Sequence, residues 1–300
     1  MSTTTLKIIG VICMTLDHLS TYLNAPLPLR YIGRISAVIF FFCAAESAIH
    51  THDRKRYLIR LYKFLLLMTA LSVIIPFVLG GWFTNKNFPP PDNNIFTELV
   101  PGIWIIDILE STKNNPKKRK KRFRNFVLYQ LATIPIWFVC EMTLGDCLHL
   151  PEQTYMWPLG SLFMSEGNIW LTLLIPLFYC WRDSKKKLTI GYLTFCILYT
   201  LITVPQLPSR VFWFTNAHAS QFFAITVSNI FAIMGFDAMQ GIMPLRESLL
   251  QYNFQCFMIL ALPLLLLYNG KRGKGHKRFF YGYYPTHIYV LYIAQQFILC

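Results

Sequence analysis

The sequence predicts an all-α, polytopic integral membrane protein, and three observations lead to that fold class. Charged residues make up only 14% of the 300 residues, against roughly 25% in soluble domains. Hydrophobic residues make up 54% and occur in long blocks rather than at amphipathic spacing. The basic residues gather in short stretches between those blocks. This arrangement is typical of helices that cross a bilayer, each of which needs about 20 mostly apolar residues.

The apolar blocks predict about ten transmembrane helices in one integral-membrane domain that covers residues 1–300. In chain order the predicted spans are Leu6–Leu23, Tyr31–Ile49, Tyr57–Leu79, Ile95–Leu109, Phe126–Leu144, Ile169–Trp181, Leu188–Val204, Phe222–Met243, Phe254–Tyr268 and Phe279–Ile298. No small-residue cleavage site follows the first block, which favours a retained helix over a signal peptide.

One stretch does not fit a simple series of crossings. Val211–Met243 is long for one helix and short for two, and Asn216–Ser220 and Gly235–Asp237 interrupt it. A single crossing here would place two basic loops on opposite sides of the membrane. Irregular backbone at membrane depth is tolerated where it lines a cavity, so we predict a re-entrant pair.

The net charge of +14 is distributed as the orientation of a membrane protein requires. Most of the 28 Lys and Arg fall in four clusters between spans: Arg54–Lys63, Lys117–Arg124, Arg182–Lys187 and Lys271–Arg278. Cytoplasmic loops carry this excess, so we expect a cytoplasmic N-terminus and membrane lipid as a partner. A nucleic-acid surface would interleave aromatic residues with the basic ones, and no nucleic-acid partner is expected.

The eight cysteines do not form a recognisable framework. Most lie within or beside apolar blocks, where Cys behaves as a small hydrophobe. The chain contains no C-x-x-C motif and no His/Cys ligand spacing, so no metal site is predicted. Cys140 and Cys147 flank a predicted outer loop, and whether they pair is left open.

Ionisable residues within the spans are the first functional signal. Asp17 and His18 lie roughly 17 Å into the first span, near the midplane of a ~30 Å hydrocarbon core. An ionised Asp at that depth costs about 2.5–3.5 kcal/mol, and such groups usually mark a site or pathway. The second span enters from the outer side and brings Arg34 to a depth at which it can meet Asp17 or His18. A purely structural Asp17–Arg34 pair is the alternative.

A second set of polar residues comes from the fourth and last spans. Asn94 and Glu98 lie at the outer end of the fourth span. His287 lies about 12 Å into the last span from the cytoplasmic side, with Tyr284 on the same helix face. Histidines of the first and last spans therefore approach the midplane from opposite ends, and we predict that they meet in one polar chamber.

Several stretches resemble the TraX family, which is named for the conjugation-pilus protein that acetylates the amino terminus of F-type pilin. The motifs are the Asp-His pair, RYIGR, HT-x-x-RKRYL-x-RL, NNIFTEL and YNGKRG…FFY-x-YYP-x-H. The resemblance covers the first hundred and the last fifty residues, and no site residue is taken from Leu144–Leu249. The family looks related to the wider group of multi-pass membrane acyltransferases.

This resemblance implies an acetyltransferase in the bacterial cytoplasmic membrane that uses acetyl-CoA and no metal. The acceptor would be a peptide amine, such as a pilin N-terminus, or a saccharide amine or hydroxyl. The implied catalytic residues are His18, Asp17, Arg34 and His287, with Asn94 and Tyr284 binding substrate or the oxyanion. The implied contacts to the phosphates of acetyl-CoA are Arg54, Arg56, Lys271, Arg272 and Lys274.

Three questions stay open at the level of sequence. Transfer is either direct or through an acyl-histidine relay. The function is also open: the same ionisable residues would suit a proton-coupled transporter, and a non-catalytic component of a pilus assembly is a further alternative to the acetyltransferase. Oligomeric state is unknown.

Overall fold

The computed structural model describes residues 1–80, 91–148, 154–163 and 165–298. Helix makes up 79% of the structure, and these residues contain no strand, so the predicted all-α class is confirmed. The helices are α1 (Thr3–Leu23), α2 (Pro28–His50), α3 (Arg54–Gly80), α4 (Phe96–Ser111), α5 (Pro116–Leu148), α6 (Asn168–Trp181), α7 (Lys185–Thr203), α8 (Leu207–His218), α9 (Gln221–Ile233), α10 (Leu245–Glu247), α11 (Leu262–Leu266) and α12 (Lys277–Ile298).

Among the described residues, five helical segments are long and apolar enough to cross a membrane. They are Thr3–Leu23, Pro28–His50, Arg54–Leu79, Pro116–Cys140 and Lys185–His218. The segments Leu245–Tyr252 and Phe254–Leu266 form a sixth if this pair, bent by 64°, is one span. The predicted count of ten is not confirmed. Several predicted spans are short helices, such as the 16-residue α4, which at about 1.5 Å per residue is shorter than a ~30 Å core.

The stretch Val211–Met243 is broken near the positions at which the sequence predicted interruptions. Helix α8 ends at His218 and α9 begins at Gln221, and Gly235 has a positive φ of 82° beyond the end of α9. Phe212 of α8, Ala224 of α9 and Ala238 form one buried cluster. At 12 and 13 residues, α8 and α9 are both shorter than a membrane-spanning helix. The re-entrant placement stays a prediction.

Two compact units make up the chain, and each consists of two separated stretches. The first unit contains Met1–Cys43 and Cys180–Gly275, and the second contains Ala44–Tyr179 and His276–Cys300. The predicted single domain stays a prediction. Each unit places polar side chains among its helices, and the two sets are described in turn.

Candidate functional site

The first polar cluster lies where α1 packs against α2 in the first unit. Asp17 is 8% exposed, and its Oδ2 accepts a hydrogen bond from the guanidinium of Arg34. The Nε of Arg30 lies 3.8 Å from Oδ1 of Asp17, and that oxygen accepts no hydrogen bond from the described residues. The predicted contact between Asp17 and Arg34 is therefore confirmed.

Several further contacts hold the guanidinium of Arg34 in place. Its Nη1 donates to Oε1 of Gln255 at 3.2 Å, and its Nε donates to the carbonyl of Arg30 at 3.3 Å. The Phe254 ring lies 5.3 Å from the Cζ of Arg34 and 4.7 Å from that of Arg30. Cations over an aromatic face are attracted to it. Two guanidiniums thus face one carboxylate, which leaves an excess of positive charge.

A glycine explains how Asp17 can approach α2 so closely. A Cβ atom at Gly33 would lie 2.3 Å from the Cβ of Asp17 and 2.7 Å from its Oδ1. No side chain fits in that space, so the RYIGR motif needs glycine between its two arginines. His18 is also buried, at 6% exposure, and its ring makes an edge contact with Tyr22 at 5.9 Å.

The second polar cluster surrounds the start of α4 in the second unit. Glu166, which lies before α6, accepts hydrogen bonds from the backbone N–H of Asn94 at 2.5 Å and from Nδ2 of Asn93 at 2.9 Å. A carboxylate at a helix N-terminus is stabilised by the helix dipole. Glu166 therefore ties the irregular segment before α6 to the beginning of α4.

A second carboxyl group lies beside it. Glu98 is 1% exposed, its Oε1 accepts a hydrogen bond from the N–H of Gly167, and its Oε2 accepts one from the Thr97 hydroxyl at 3.2 Å. The same hydroxyl accepts from the N–H of Glu166 at 3.0 Å. A Cβ at Gly167 would lie 2.9 Å from Leu171 and 3.1 Å from Glu98. Two acidic residues are thus held together by one threonine and one glycine.

Helix α12 adds Tyr284 and His287 to this cluster. The Tyr284 hydroxyl accepts a hydrogen bond from the N–H of Ile95 at 2.8 Å, and its ring lies 5.8 Å from that of His287. His287 is 7% exposed, and its Nδ1 is 2.9 Å from the carbonyl oxygen of Tyr283. Asn94 donates from Nδ2 to Leu65 O at 3.3 Å. The structure therefore places Tyr284 beside both His287 and the beginning of α4, where Asn94 lies, and the predicted roles of these residues stay predictions.

The Oδ1 atom of Asn94 is buried and has no hydrogen-bond partner among the described residues. The Asn94 side chain is fully buried. An acceptor without a donor at such a position costs free energy.

The predicted phosphate contacts lie in two different places. Arg54 is 3.6 Å from Asp107 and Arg56 is 3.0 Å from Asp53, both in the second unit. Each guanidinium therefore already faces a carboxylate. The remaining three, Lys271, Arg272 and Lys274, are exposed in a loop of the first unit. A common phosphate site stays a prediction.

The loop that carries those three residues is tied to the beginning of α1. The N–H groups of Thr3 and Thr4 donate to the carbonyls of Lys271 and Arg272 at 2.9 and 3.2 Å. Gly270 and Gly273 have positive φ angles of 75° and 74°, which side chains rarely adopt. The loop backbone is therefore held, while its basic side chains point to solvent.

Two of the sequence-level questions are not resolved by these clusters. His18 belongs to the first unit and His287 to the second, so their predicted convergence stays a prediction. Cys140 is a free thiol, and the side chain of Cys147 lies outside the described residues.

The sequence reading missed Glu166 and Gly167. Glu98 was noted only as a polar residue at the end of a span. Two features of the sequence could have pointed to these residues: a Glu-Gly pair shortly before an apolar helix, and the polar run Asn93–Glu98. Spacing alone does not show that these two segments meet.

Comparison with known proteins gives one match. A family model described as TraX protein matches residues 2–139 and 158–295, which is nearly the whole chain. No curated protein and no solved structure matches. The second matched range begins at 158 and includes Glu166 and Gly167, so the family match extends well into the middle of the chain.

Proposed function

This chain belongs to the TraX family, and from that premise we propose that it is a membrane-embedded acetyltransferase. It would move an acetyl group from cytoplasmic acetyl-CoA to an amine or hydroxyl acceptor at the membrane or its extracytoplasmic side. Family membership is consistent with a conjugation-related membrane protein. A pilin or other peptide N-terminus is the acceptor that we favour.

The observation that carries the proposal is the burial of His287 within the polar cluster of the second unit. A histidine is the usual general base at neutral pH. Its Nδ1 lies 2.9 Å from the carbonyl of Tyr283, so the neutral ring carries its proton on Nδ1 and its lone pair on Nε2. The Nε2 atom is then the one that takes a proton from the acceptor.

The proposed reaction has four bond changes. His287 Nε2 removes a proton from the acceptor amine, and the amine nitrogen attacks the thioester carbonyl carbon. The carbon–sulfur bond of acetyl-CoA breaks. The coenzyme A thiolate leaves and is protonated by the imidazolium, which returns the histidine to its neutral form.

The neighbours of His287 suit the negative charge that develops on the carbonyl oxygen. The Tyr284 oxygen accepts from Ile95 N–H, which places this hydroxyl at the beginning of α4, and the ring lies beside His287. Asn94 Nδ2 has a second hydrogen besides the one that it donates to Leu65. One such donor typically contributes about 3–4 kcal/mol to transition-state stabilisation in a dry site.

The first unit offers an alternative base. His18 is buried next to Asp17, and the Arg34 and Arg30 guanidiniums provide positive charge for an oxyanion. Direct transfer and an acyl-histidine relay both remain compatible with these positions. Incubation with acetyl-CoA but without an acceptor distinguishes them, because only a relay would leave an acetylated histidine. Separate substitutions of His18 and His287 then show which histidine carries the acetyl group.

The test is acetyl transfer by the purified, full-length protein in neutral detergent. Release of coenzyme A thiol is measured with a peptide that has a free amino terminus, with the same peptide already acetylated, and with a hexosamine. We expect thiol release only with the free peptide amine or the sugar. Failure with every acceptor, from protein that is folded, would overturn the proposal.

The chain provides a matched control for His287→Ala. In α8, His218 also has its Nδ1 2.9 Å from the carbonyl four residues earlier, and its ring also stacks on the aromatic residue there. His218 is exposed, however, and His287 is buried. We expect His287→Ala to lower kcat about 10²–10⁴-fold and His218→Ala to leave it unchanged. Equal effects would contradict the assignment of His287 as base.

A second candidate function, proton-coupled transport, is favoured by the Glu98–Glu166 pair. Two close carboxyl groups hold a shared proton readily, and intramembrane carboxyl relays are common in transporters. Proteoliposomes containing a pH-sensitive dye distinguish the two functions. Proton uptake that is lost in Glu98→Gln, without any acetyl transfer by wild type, would favour the transporter.

A further inference from the structure

Helix α5 begins with the most basic stretch of the chain, and its cations fall into two groups. Two arginines are half-buried, whereas five other cations are exposed. The exposed ones are Lys117, Lys118, Lys120, Lys121 and Arg124.

The two half-buried arginines attach the beginning of α5 to the end of α4. Arg119 donates to the carbonyls of Thr112 and Lys113, the latter at 3.1 Å. Arg122 donates to Asp107 at 3.0 Å and to the Ser111 hydroxyl. These contacts fix which side of α5 faces the protein.

The five exposed cations have no side-chain hydrogen bond or ion pair within the described ranges. At about 100° per residue, all five lie within an arc of roughly 160° on the helix surface. Arg119 and Arg122 lie on the opposite side of that surface. The exposed cations, which we call the basic face, therefore point away from the protein as one group.

An apolar surface follows directly below the basic face. Leu128 and Leu131 are 57% and 50% exposed, and at about 100° per residue they lie on the same side of α5 as the five cations. Arg124 and Leu128 are separated by only about 6 Å along the helix axis. Exposed leucines on a candidate membrane span face lipid tails. The layer of lipid headgroups must then lie at the basic face.

We propose that the basic face binds the headgroups of anionic phospholipids. Clusters of four to eight Lys or Arg beside a membrane helix attract anionic lipid, and each contributes about 1 kcal/mol, or roughly a fivefold preference. A wide arc of five separate charges fits several phosphates of a lipid surface better than the compact phosphates of one nucleotide. This inference does not depend on the acetyltransferase proposal.

The test measures lipid association with the full-length protein in phosphatidylcholine nanodiscs. The probe is spin-labelled phosphatidylglycerol, and the readout is its association constant relative to spin-labelled phosphatidylcholine. Substituting Lys117, Lys120 and Lys121 together by Gln is expected to lower this relative constant about 100-fold, because three contributions of roughly fivefold multiply. The same three residues changed to Arg should retain wild-type preference.

A matched control removes the same charge from another helix start. Lys185–Lys187 are exposed at the beginning of α7 in the first unit. Three cations are fewer than the four to eight that recognise anionic lipid, so their Gln variants should lower the relative constant less than the α5 variant does. Equal losses from both triple variants, or no loss from the α5 variant, would overturn the proposal. Displacement of the lipid by 3′,5′-adenosine diphosphate would also overturn it and reassign the basic face to acetyl-CoA. A charge-based contact should weaken as salt is raised.

Discussion

The two buried polar clusters differ in the sign of the charges that they bring together. In the first unit, one carboxylate lies between two guanidiniums. In the second unit, the Glu98 carboxyl accepts hydrogen bonds from Thr97 and from the N–H of Gly167. The Glu166 carboxyl accepts from Asn93 and from the N–H of Asn94. Attraction accounts for the first arrangement. In the second, hydrogen bonds hold two acidic residues whose charged forms would repel each other.

The first arrangement can be explained by structural stabilisation alone, and the second is the one to which our proposal assigns chemistry. An opposite-charge pair can stabilise the packing of two helices and needs no other function. Like charges at 1% exposure, as at Glu98, are costly and are therefore more informative about function. The following predictions test that contrast, starting with the largest expected effect.

Breaking the first cluster should be costly. Arg34→Met removes the main partner of the buried Asp17 carboxylate, and we expect the free energy of unfolding to fall by about 3 kcal/mol. The measurement is denaturation by SDS titration in mixed micelles. The double variant Asp17→Asn/Arg34→Met should recover part of the loss, because the buried carboxylate is then gone and only the partly exposed Arg30 is left without it. If the loss in the double variant equalled the sum of the losses in the two single variants, the two residues would not be coupled.

The close packing of the same helices gives a second prediction. Gly33→Ala places a Cβ within 3 Å of Asp17, so we expect a loss of about 2 kcal/mol in the same assay. Gly282→Ala in α12 is the control, because a Cβ there meets nothing within 4 Å. Alanine is the better helix former, so the control should be neutral or stabilising. A harmless Gly33→Ala would contradict the close approach of α1 and α2.

A third prediction compares one tyrosine hydroxyl in each unit. Tyr284→Phe leaves the N–H of Ile95 without its acceptor, whereas Tyr31→Phe removes a donor to the carbonyl of Leu250. We expect each to lower the free energy of unfolding by about 1 kcal/mol. Only Tyr284→Phe should also lower acetyl transfer, since only that hydroxyl lies beside His287. Equal activity in both variants would remove Tyr284 from the site.

The smallest change in stability is expected for removal of one carboxyl group from the second cluster. Glu98→Gln keeps the shape of the side chain and removes one of two like charges, so its stability should stay within about 1 kcal/mol of wild type. Asp17→Asn should destabilise, because it leaves two guanidiniums without a carboxylate. SDS titration of the two variants side by side gives the answer. A large loss in Glu98→Gln, equal to that in Asp17→Asn, would mean that both clusters are staples.

The two clusters also show what could be predicted from the sequence. Asp17 and Arg34 lie on long helices whose depth can be counted from their ends at about 1.5 Å per residue, and their contact was predicted. Glu166 lies in the irregular segment before α6, where no periodicity reports position. Its contact with Asn94 depends on how two distant segments pack together, which residue spacing does not encode.

The predicted count of ten spans is not confirmed for a related reason. Apolar blocks identify helices that avoid water, but a helix buried inside a protein and one that crosses a bilayer both avoid it. The predicted spans at α4, α6 and α9 are apolar yet have only 16, 14 and 13 residues. Length, rather than composition, distinguishes these helices from the five candidate spans.

The first unit consists of two stretches that are far apart in the sequence, Met1–Cys43 and Cys180–Gly275, and this affects how it folds during synthesis. Arg34 leaves the ribosome 221 residues before Gln255, and at roughly 5–20 residues per second this delay lasts about 10–45 s. During that interval the nascent α1 and α2 have each other but not the residues 254 and 255 that later surround the arginines. The Asp17–Arg34 pair can therefore neutralise most of the local charge while the remaining partners are still being translated.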